Sequence, residues 1–392
     1  MNQIIEIQNF AYEAALPRLP GMTRPDLPPL TLEAMLHAMP KVELHCHLFG
    51  TVRKATFIDL CRAAGDPISL AEIEAFYTRG EKPVGVLRVL RALDAQLIRS
   101  PADLYRITYE YLQDVRAHGV LYAEFFWNPT GTVRVSGIAY DRAQDAIVGA
   151  IRDAERDFDV IGRLIPSIDR EASPDEALAM VQWMCDHRLP EVIGIGMDYR
   201  ENDRPPELFE QAYRCAREAG FKLTAHAGEF GMPWNNVATA IDRLQVDRVD
   251  HGYTIVDNPA LLQRCVERGM IFTVVPTNSY YLRTLAPQRW ALDHPIRQMV
   301  AAGLRVHPNT DDPTLHLVTP TAAWLMMMQF GLDLDALRGC MLNGLDAAWI
   351  DDDLRERWRA GWTLQFDRLR QRLAQDGVGD QDALRGPSMK KL

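Results

Sequence analysis

The feature that most constrains this chain is an alternation repeated eight times. Short apolar runs rich in β-branched residues fall at 42–48, 120–127, 160–168, 192–197, 221–225, 248–253, 270–276 and 304–309, and longer helical patterns lie between most of them. In 207–219, for example, Leu208, Ala212, Cys215 and Ala216 recur at helical spacing and Gly220 ends the pattern. Eight strand-helix units are the arithmetic of a (β/α)8 barrel, the large single-domain α/β class that suits 392 residues. A doubly wound open sheet is the competing architecture for the same rhythm.

Two stretches break the rhythm. The first connection, 49–119, spans about 70 residues and carries helical patterns around 57–64, 71–76, 84–97 and 102–117. It reads as a helical insertion, about 50–118, lying above the barrel mouth, where such segments shape a pocket. Before the barrel, Pro17, Pro20, Pro25, Pro28 and Pro29 block regular structure and predict an extended surface arm, followed by a short helix over 31–38 capped by Thr31 and stopped by Pro40. The expected organisation is therefore an arm and short helix over 1–40 and one barrel domain over 41–392, with extra C-terminal helices to about 375 and a charged tail.

Four of the eight runs end in side chains that bind metals or move protons. The stretch 41–48 reads Lys-Val-Glu-Leu-His-Cys-His-Leu. As a strand it would point His45 and His47 to one face and Cys46 to the other. The fifth run leads into His226 and Glu229, the sixth into Asp250 and His251, and the eighth into Asn309, Asp311 and Asp312. In a barrel these ends meet at one mouth. Imidazoles with a carboxylate suit zinc, although iron, cobalt or manganese take the same donors. Each residue also has a plain structural reading: Glu229 as a helix-start carboxylate, Asp311 and Asp312 as a capped turn before Pro313, His251 as a core imidazole. His37, His118, His187, His294, His307 and His316 keep that structural reading, and Trp234, Tyr280, Tyr281 and Trp290 are weak candidates for lining the pocket.

The strings KVELHCHLFG at 41–50, TAHAGE at 224–229, VDHGY at 249–253 and NTDDP at 309–313, taken in order, resemble the adenosine deaminase family of metal-dependent aminohydrolases. The resemblance runs from about Pro40 to about Trp358. It implies a (β/α)8 barrel holding one zinc on His45, His47, His226 and Asp311, with Glu229 as the acid that protonates the purine ring nitrogen, His251 deprotonating the attacking water, and Asp312 orienting the base. The implied reaction is hydrolytic deamination of an aminopurine or related amino-heterocycle. An amidohydrolase acting on a different bond, or a barrel that only binds, are the alternatives. Cytosine-type zinc deaminases, which carry a Pro-Cys-x-x-Cys pair, do not match, because the chain has no Pro-Cys dipeptide.

The family pattern is broken where substrate is read. Phe49 stands where typical members place an aspartate that contacts the ribose hydroxyl. The stretch 196–199, Gly-Met-Asp-Tyr, replaces Asp-Leu-Ala-Gly and puts Tyr199 in place of glycine, and Val275-Pro276 replaces Cys-Pro. Phe49 and Tyr199 therefore join Asp312 as expected substrate-binding positions.

Composition narrows the partners. A formal net charge of −10 without a Lys/Arg cluster argues against a nucleic-acid partner. Six cysteines without a Cys-x-x-Cys pair, a start lacking a basic, apolar leader and the absence of a long apolar run predict a cytoplasmic protein with reduced thiols and no membrane span. Its partner would be a small molecule, and its oligomeric state is not readable.

Overall fold

The computed structural model describes residues 29–79 and 85–376; the arm up to residue 28 and the tail beyond 376 lie outside them. Eight parallel strands, β1 (Lys41–Glu43), β2 (Val120–Trp127), β3 (Ile161–Asp169), β4 (Gly194–Asp198), β5 (Lys222–Ala227), β6 (Arg248–His251), β7 (Ile271–Val274) and β8 (Arg305–Pro308), form one sheet in chain order. A doubly wound sheet would reverse that order at a switch point. Closure comes just past the last strand. Asp311 bridges in parallel to Cys46, and two 2.9 Å hydrogen bonds, His47 N to Asp311 O and Asp311 N to His45 O, stitch the ends together. The fold is α/β, a (β/α)8 barrel.

Strand β1 is shorter than the sequence suggests. It stops at Glu43 because the next amide, Leu44 N, donates to the side chain of Asn309 at 2.9 Å instead of to a strand neighbour. His45 and His47 thus lie beyond the regular strand, in a segment tied to Asp311 on one side and to Phe126 on the other.

The helices follow local signals. Thr31 caps α1 (Leu32–Ala38) by accepting from Ala34 N. Between β1 and β2 come α2 (Lys54–Ala63), α3 (Leu70–Phe76), α4 (Val86–Ala92) and α5 (Pro101–Arg116). The pattern read over 84–97 is α4 followed by a π turn at Leu93–Leu97, and α5 starts with a Ser100/Asp103 capping box and Pro101 in its first turn. The pattern at 207–219 begins instead as a 3-10 turn, Pro206–Phe209, behind Pro205, and becomes helical over Glu210–Glu218. Among the described residues no helix is long and apolar enough to cross a membrane.

In a closed eight-stranded barrel, strands four apart face each other across the lumen. Glu124 on β2 and Arg248 on β6 are such a pair, 2.5 Å apart and both buried. Tyr122 Oη and Trp349 N donate to the other oxygen of Glu124, while Arg248 donates to the carbonyls of Leu44 and Ala347 and stacks 4.1 Å from the Trp349 ring. The charges are thus desolvated but well partnered. Removing one partner of such a pair typically costs about 3–5 kcal/mol, because the other charge stays buried and uncompensated. Glu124→Leu is expected to lower stability by that amount in urea titration, and adding Arg248→Met should recover part of it; a Glu124→Leu protein as stable as the parent would show that the pair contributes nothing.

Candidate active site

The C-terminal ends of β1, β5, β6 and β8 deliver His45, His47, His226, His251, Asp311 and Asp312 to one buried place. His226 Nε2 lies 3.1 Å from both His45 Nε2 and His47 Nε2. Asp311 Oδ1 is 3.2 Å from His47 Nε2 and 3.7 Å from His45 Nε2. Each ring is backed by an oxygen. His45 Nδ1 meets the carbonyl of Thr273 at 3.0 Å, and since a carbonyl only accepts, Nδ1 carries the proton and Nε2 offers a bare lone pair to the cluster. Asp198 stands 3.2 Å behind His47 Nδ1, itself held by Asn128 at 2.6 Å, and Asp250 stands 3.4 Å behind His226 Nδ1.

Register explains the Asp250 contact. His226 on β5, Asp250 on β6 and Thr273 on β7 are direct cross-strand neighbours, and the hydroxyls of Thr224 and Thr273 donate to the two oxygens of Asp250 at 2.8 and 2.6 Å. Burial alone would push this carboxyl up, but His226, His45 and Arg248 hold it below the usual carboxylate range. Burial likewise opposes charge on His47, yet Asp198 and Asp311 outweigh it and keep His47 well above an ordinary imidazole. His45, in contrast, is driven to about 4 by burial and by His226.

Imidazole lone pairs and a carboxylate oxygen converging at 3.1–3.7 Å repel unless positive charge sits among them. The edge of a tetrahedron with 2.0–2.1 Å bonds is about 3.3 Å, so the spacing fits a zinc-sized cation. His45, His226, His251 and Asp311 also lie with one donor atom each within 4.8 Å of one another. His251 is the outer member of that set, since His47 makes the shorter contacts to both His226 and Asp311.

His251 is set apart by its other nitrogen. Tyr253 Oη donates to Val275 O at 3.0 Å and accepts from Val275 N at 2.9 Å, so at 3.2 Å it accepts from His251 Nδ1. The lone pair of His251 therefore sits on Nε2, 3.5 Å from Glu229 Oε2, and burial together with His45 and His226 keeps the ring neutral. Glu229 is raised well above an ordinary carboxyl by burial, then by Asp311 and Glu201. Asn278 donates to its Oε1 at 3.0 Å. Glu201 accepts from the amides of Gly228 and Glu229 at 2.8 and 2.9 Å and from Asn236 at 2.7 Å, which fixes the turn that presents the acid. An imidazole disposed to be neutral and a carboxyl disposed to hold its proton thus face each other beside the cluster.

Three residues of the site sit on strained backbone. Tyr199, His251 and Asp311 all have φ of 64°, the left-handed region that costs a non-glycine residue about 1–3 kcal/mol and persists only where surroundings enforce it. Asp312 is also raised, by burial and by the adjacent Asp311.

His47, Tyr199, His226, Glu229, Asp311 and Asp312 line a cavity of about 400 Å³, together with Asn278, His316 and the apolar side chains of Val86, Leu87, Leu90 and Phe230. Phe49 does not line it: its side chain joins the core within the turn Leu48–Thr51. Tyr199 packs under Arg91, whose guanidinium lies 4.0 Å from the ring centroid and 2.6 Å from Asp169. Asp198, read as part of a substrate-reading stretch, instead backs His47. Tyr281 and Trp290 pack around His294, away from the lining residues, and neither Trp234 nor Tyr280 reaches the lining. Sequence reasoning missed Asn128, Asp250 as the support of His226, Glu201, Asn278 and His316. Only Asp250, next to His251, carried a local signal.

Gly50 permits the last part of this geometry. A Cβ there would fall 1.9 Å from Asp312 Oδ1. Gly50→Ala is expected to displace Asp312 and lower kcat/KM about tenfold to a hundredfold, with metal content unchanged; parental kinetics would mean that the position of Asp312 is unimportant.

The family model described as adenosine deaminase matches residues 40–361. An adenine deaminase of Rhodospirillum rubrum is 33% identical over 323 residues, covering 81% of this chain and 93% of the relative, and one of Vibrio parahaemolyticus is 31% identical, covering 84% and 96%. Among solved structures, an amidohydrolase of Burkholderia ambifaria with bound Zn is 63% identical, covers 90% of this chain and 97% of its own, and superposes with a TM-score of 0.87. The adenine deaminase of Arthrobacter aurescens is 27% identical with a TM-score of 0.75, covering 83% and 98%. With its barrel, its buried histidine and aspartate cluster and a match spanning most of its length, the chain belongs to the adenosine deaminase family.

Proposed function

We propose that this protein is a zinc-dependent hydrolase that deaminates an aminopurine and releases ammonia, with 41–392 acting as one catalytic unit in the cytoplasm. The observation that carries the reading is the 3.5 Å approach of a bare His251 Nε2 to the Glu229 carboxyl beside the His45, His47, His226 and Asp311 cluster. Those four side chains would hold the ion: the zinc in the Burkholderia relative supports a metal here, and the 3.1–3.2 Å contacts of His47 to His226 and Asp311 support His47, ahead of His251, as the fourth donor. When bound, zinc supplies the Lewis acidity that makes water a nucleophile near neutral pH. Asp198, Asp250 and Thr273 keep the rings aimed. Asp312 hydrogen-bonds a ring nitrogen and orients the base. Glu229 then gives its proton to the ring nitrogen beside the carbon that bears the amine, which makes that carbon electrophilic, while His251 Nε2 takes the proton of the attacking water. The tetrahedral carbon that results carries a hydroxyl and an amino group; proton transfer to the amino group and loss of ammonia leave the carbonyl. A binding-only barrel does not explain an acid and a base facing one another here, and the match to the adenosine deaminase model and to adenine deaminases favours deamination over hydrolysis of another bond.

The substrate reading follows from the walls. Position 49 sends no carboxylate into the cavity, because Phe49 is turned into the core, and Val86, Leu87 and Leu90 of α4, Phe230 and the clamped Tyr199 make much of the wall apolar, with Arg88, Arg200, Asn202, Ser279 and Arg283 completing it. The insertion thereby acts as a lid. A ribose hydroxyl buried without a partner costs about 1–3 kcal/mol, or tenfold to a hundredfold in specificity. Adenosine is therefore a poor substrate beside adenine or a purine carrying an apolar substituent, and the cavity has more room than a bare two-ring base fills.

Two tests follow. Glu229→Gln should keep its metal yet lose about a hundred- to ten-thousandfold in turnover, whereas His226→Ala should lose metal and activity together; near-normal turnover of Glu229→Gln would remove it from the chemistry. In an ammonia-release screen, adenine and apolar 9- or N6-substituted purines should exceed adenosine in kcat/KM, and adenosine emerging as the best substrate would overturn the substrate reading.

A further inference from the structure

Arg79 lies just past α3, outside the barrel, yet its guanidinium reaches two barrel loops. It donates to the carbonyl of His316 after β8, to the carbonyl of Thr277 after β7 at 2.7 Å, and to Ser279 Oγ at 3.3 Å. Thr277 and Ser279 are the two neighbours of Asn278. The amide of Asn278 has only one orientation available, because its Oδ1 accepts from Tyr280 N at 3.1 Å, which leaves Nδ2 to donate to Glu229 Oε1 at 3.0 Å. Among the carboxyl oxygens, Oε1 is thus the acceptor, and the proton of the neutral acid belongs on Oε2, the oxygen that faces His251 Nε2 across 3.5 Å.

Resting on the reading of Glu229 as the acid, we propose that Arg79 is a positioning residue of the insertion that acts through Asn278 to keep the Glu229 proton on Oε2. Arg79 grips both flanks of Asn278, so the register of that loop, and with it the Asn278 to Glu229 bond, depends on the insertion being docked. A guanidinium suits the task because its fork of donors reaches several carbonyls at once, whereas a lysine offers a single ammonium point. The insertion thus serves the site twice, α4 walling the cavity and Arg79, just past α3, holding the loop that sets the acid. Misplacing an acid by a fraction of an ångström to an ångström is enough to slow the chemical step by up to about a hundredfold.

The experiment uses the zinc-loaded full chain and the best aminopurine from the ammonia-release screen. Arg79→Met and Asn278→Ala are each expected to lower kcat about tenfold to a hundredfold. Zinc content and inhibition by hypoxanthine should stay within about twofold, while binding of a 1,6-dihydro-6-hydroxypurine, which mimics the tetrahedral carbon, weakens in step with kcat. The double variant should be no slower than Asn278→Ala alone, since the two residues act in series. Losses that multiply, or a parental kcat for Arg79→Met while Glu229→Gln is inactive, would overturn the proposal and leave the acid in place. An active Glu229→Gln would instead remove the acid itself. If Arg79→Met does not fold, Arg79→Lys carries the comparison, and parental kcat there counts against the proposal.

Discussion

Like charges and lone pairs resist being brought together, and this structure brings several to one point. Nitrogens of three histidines and an oxygen of Asp311 meet at 3.1–3.7 Å in a place almost closed to water. Such a constellation persists only if the groups behind it are fixed, which is why the shell of Asp198, Asp250, Asn128, Thr224 and Thr273 is as much a part of the centre as the histidines. The shell also explains the opposite behaviour of two nearby rings. His47, between two carboxylates, favours positive charge, while His45, buried and beside His226, disfavours it. Together with Asp311 and His226 they make a site with the donor spacing of a zinc-sized cation.

The backbone adapts to the same demand. Along a strand, Asp250 and His251 would point to opposite faces. A left-handed turn at His251, followed by another at Gly252, re-aims the chain so that Asp250 supports His226 while His251 also reaches the site. Asp311 uses the same device next to Asp312. The conformational cost is met by burial and by the closing bridge to Cys46, which anchors Asp311 on both its amide and its carbonyl.

Much of this was legible in the sequence. Strands buried on both faces read as continuous apolar runs, and each of the eight runs found that way overlaps an observed strand, with 120–127 reproduced residue for residue. The metal and proton-transfer candidates were visible because they sit at strand ends, where the fold gathers them. What sequence does not carry is cross-strand register. Nothing local says that Thr273 will stand beside Asp250, that Glu201 will hold the amides of Gly228 and Glu229, or that Asn278 will meet Glu229 across 49 residues. Phe49 shows the converse. Its place in the motif suggested a wall of the pocket, but a 3-10 turn rotates it into the core and leaves Gly50 against Asp312.

The ion pair between Glu124 and Arg248 has an effect beyond stability. It fills the lumen from one side to the other with buried side chains, and Trp349 packs against it, so the barrel is a cup and not a tube. Base and water enter, and ammonia and the oxo ring leave, through the doorway that α4 walls on one side. Product must therefore clear the doorway before the next base can settle. Once the chemical step is fast, passage of product through that doorway is the step left to set the ceiling on turnover.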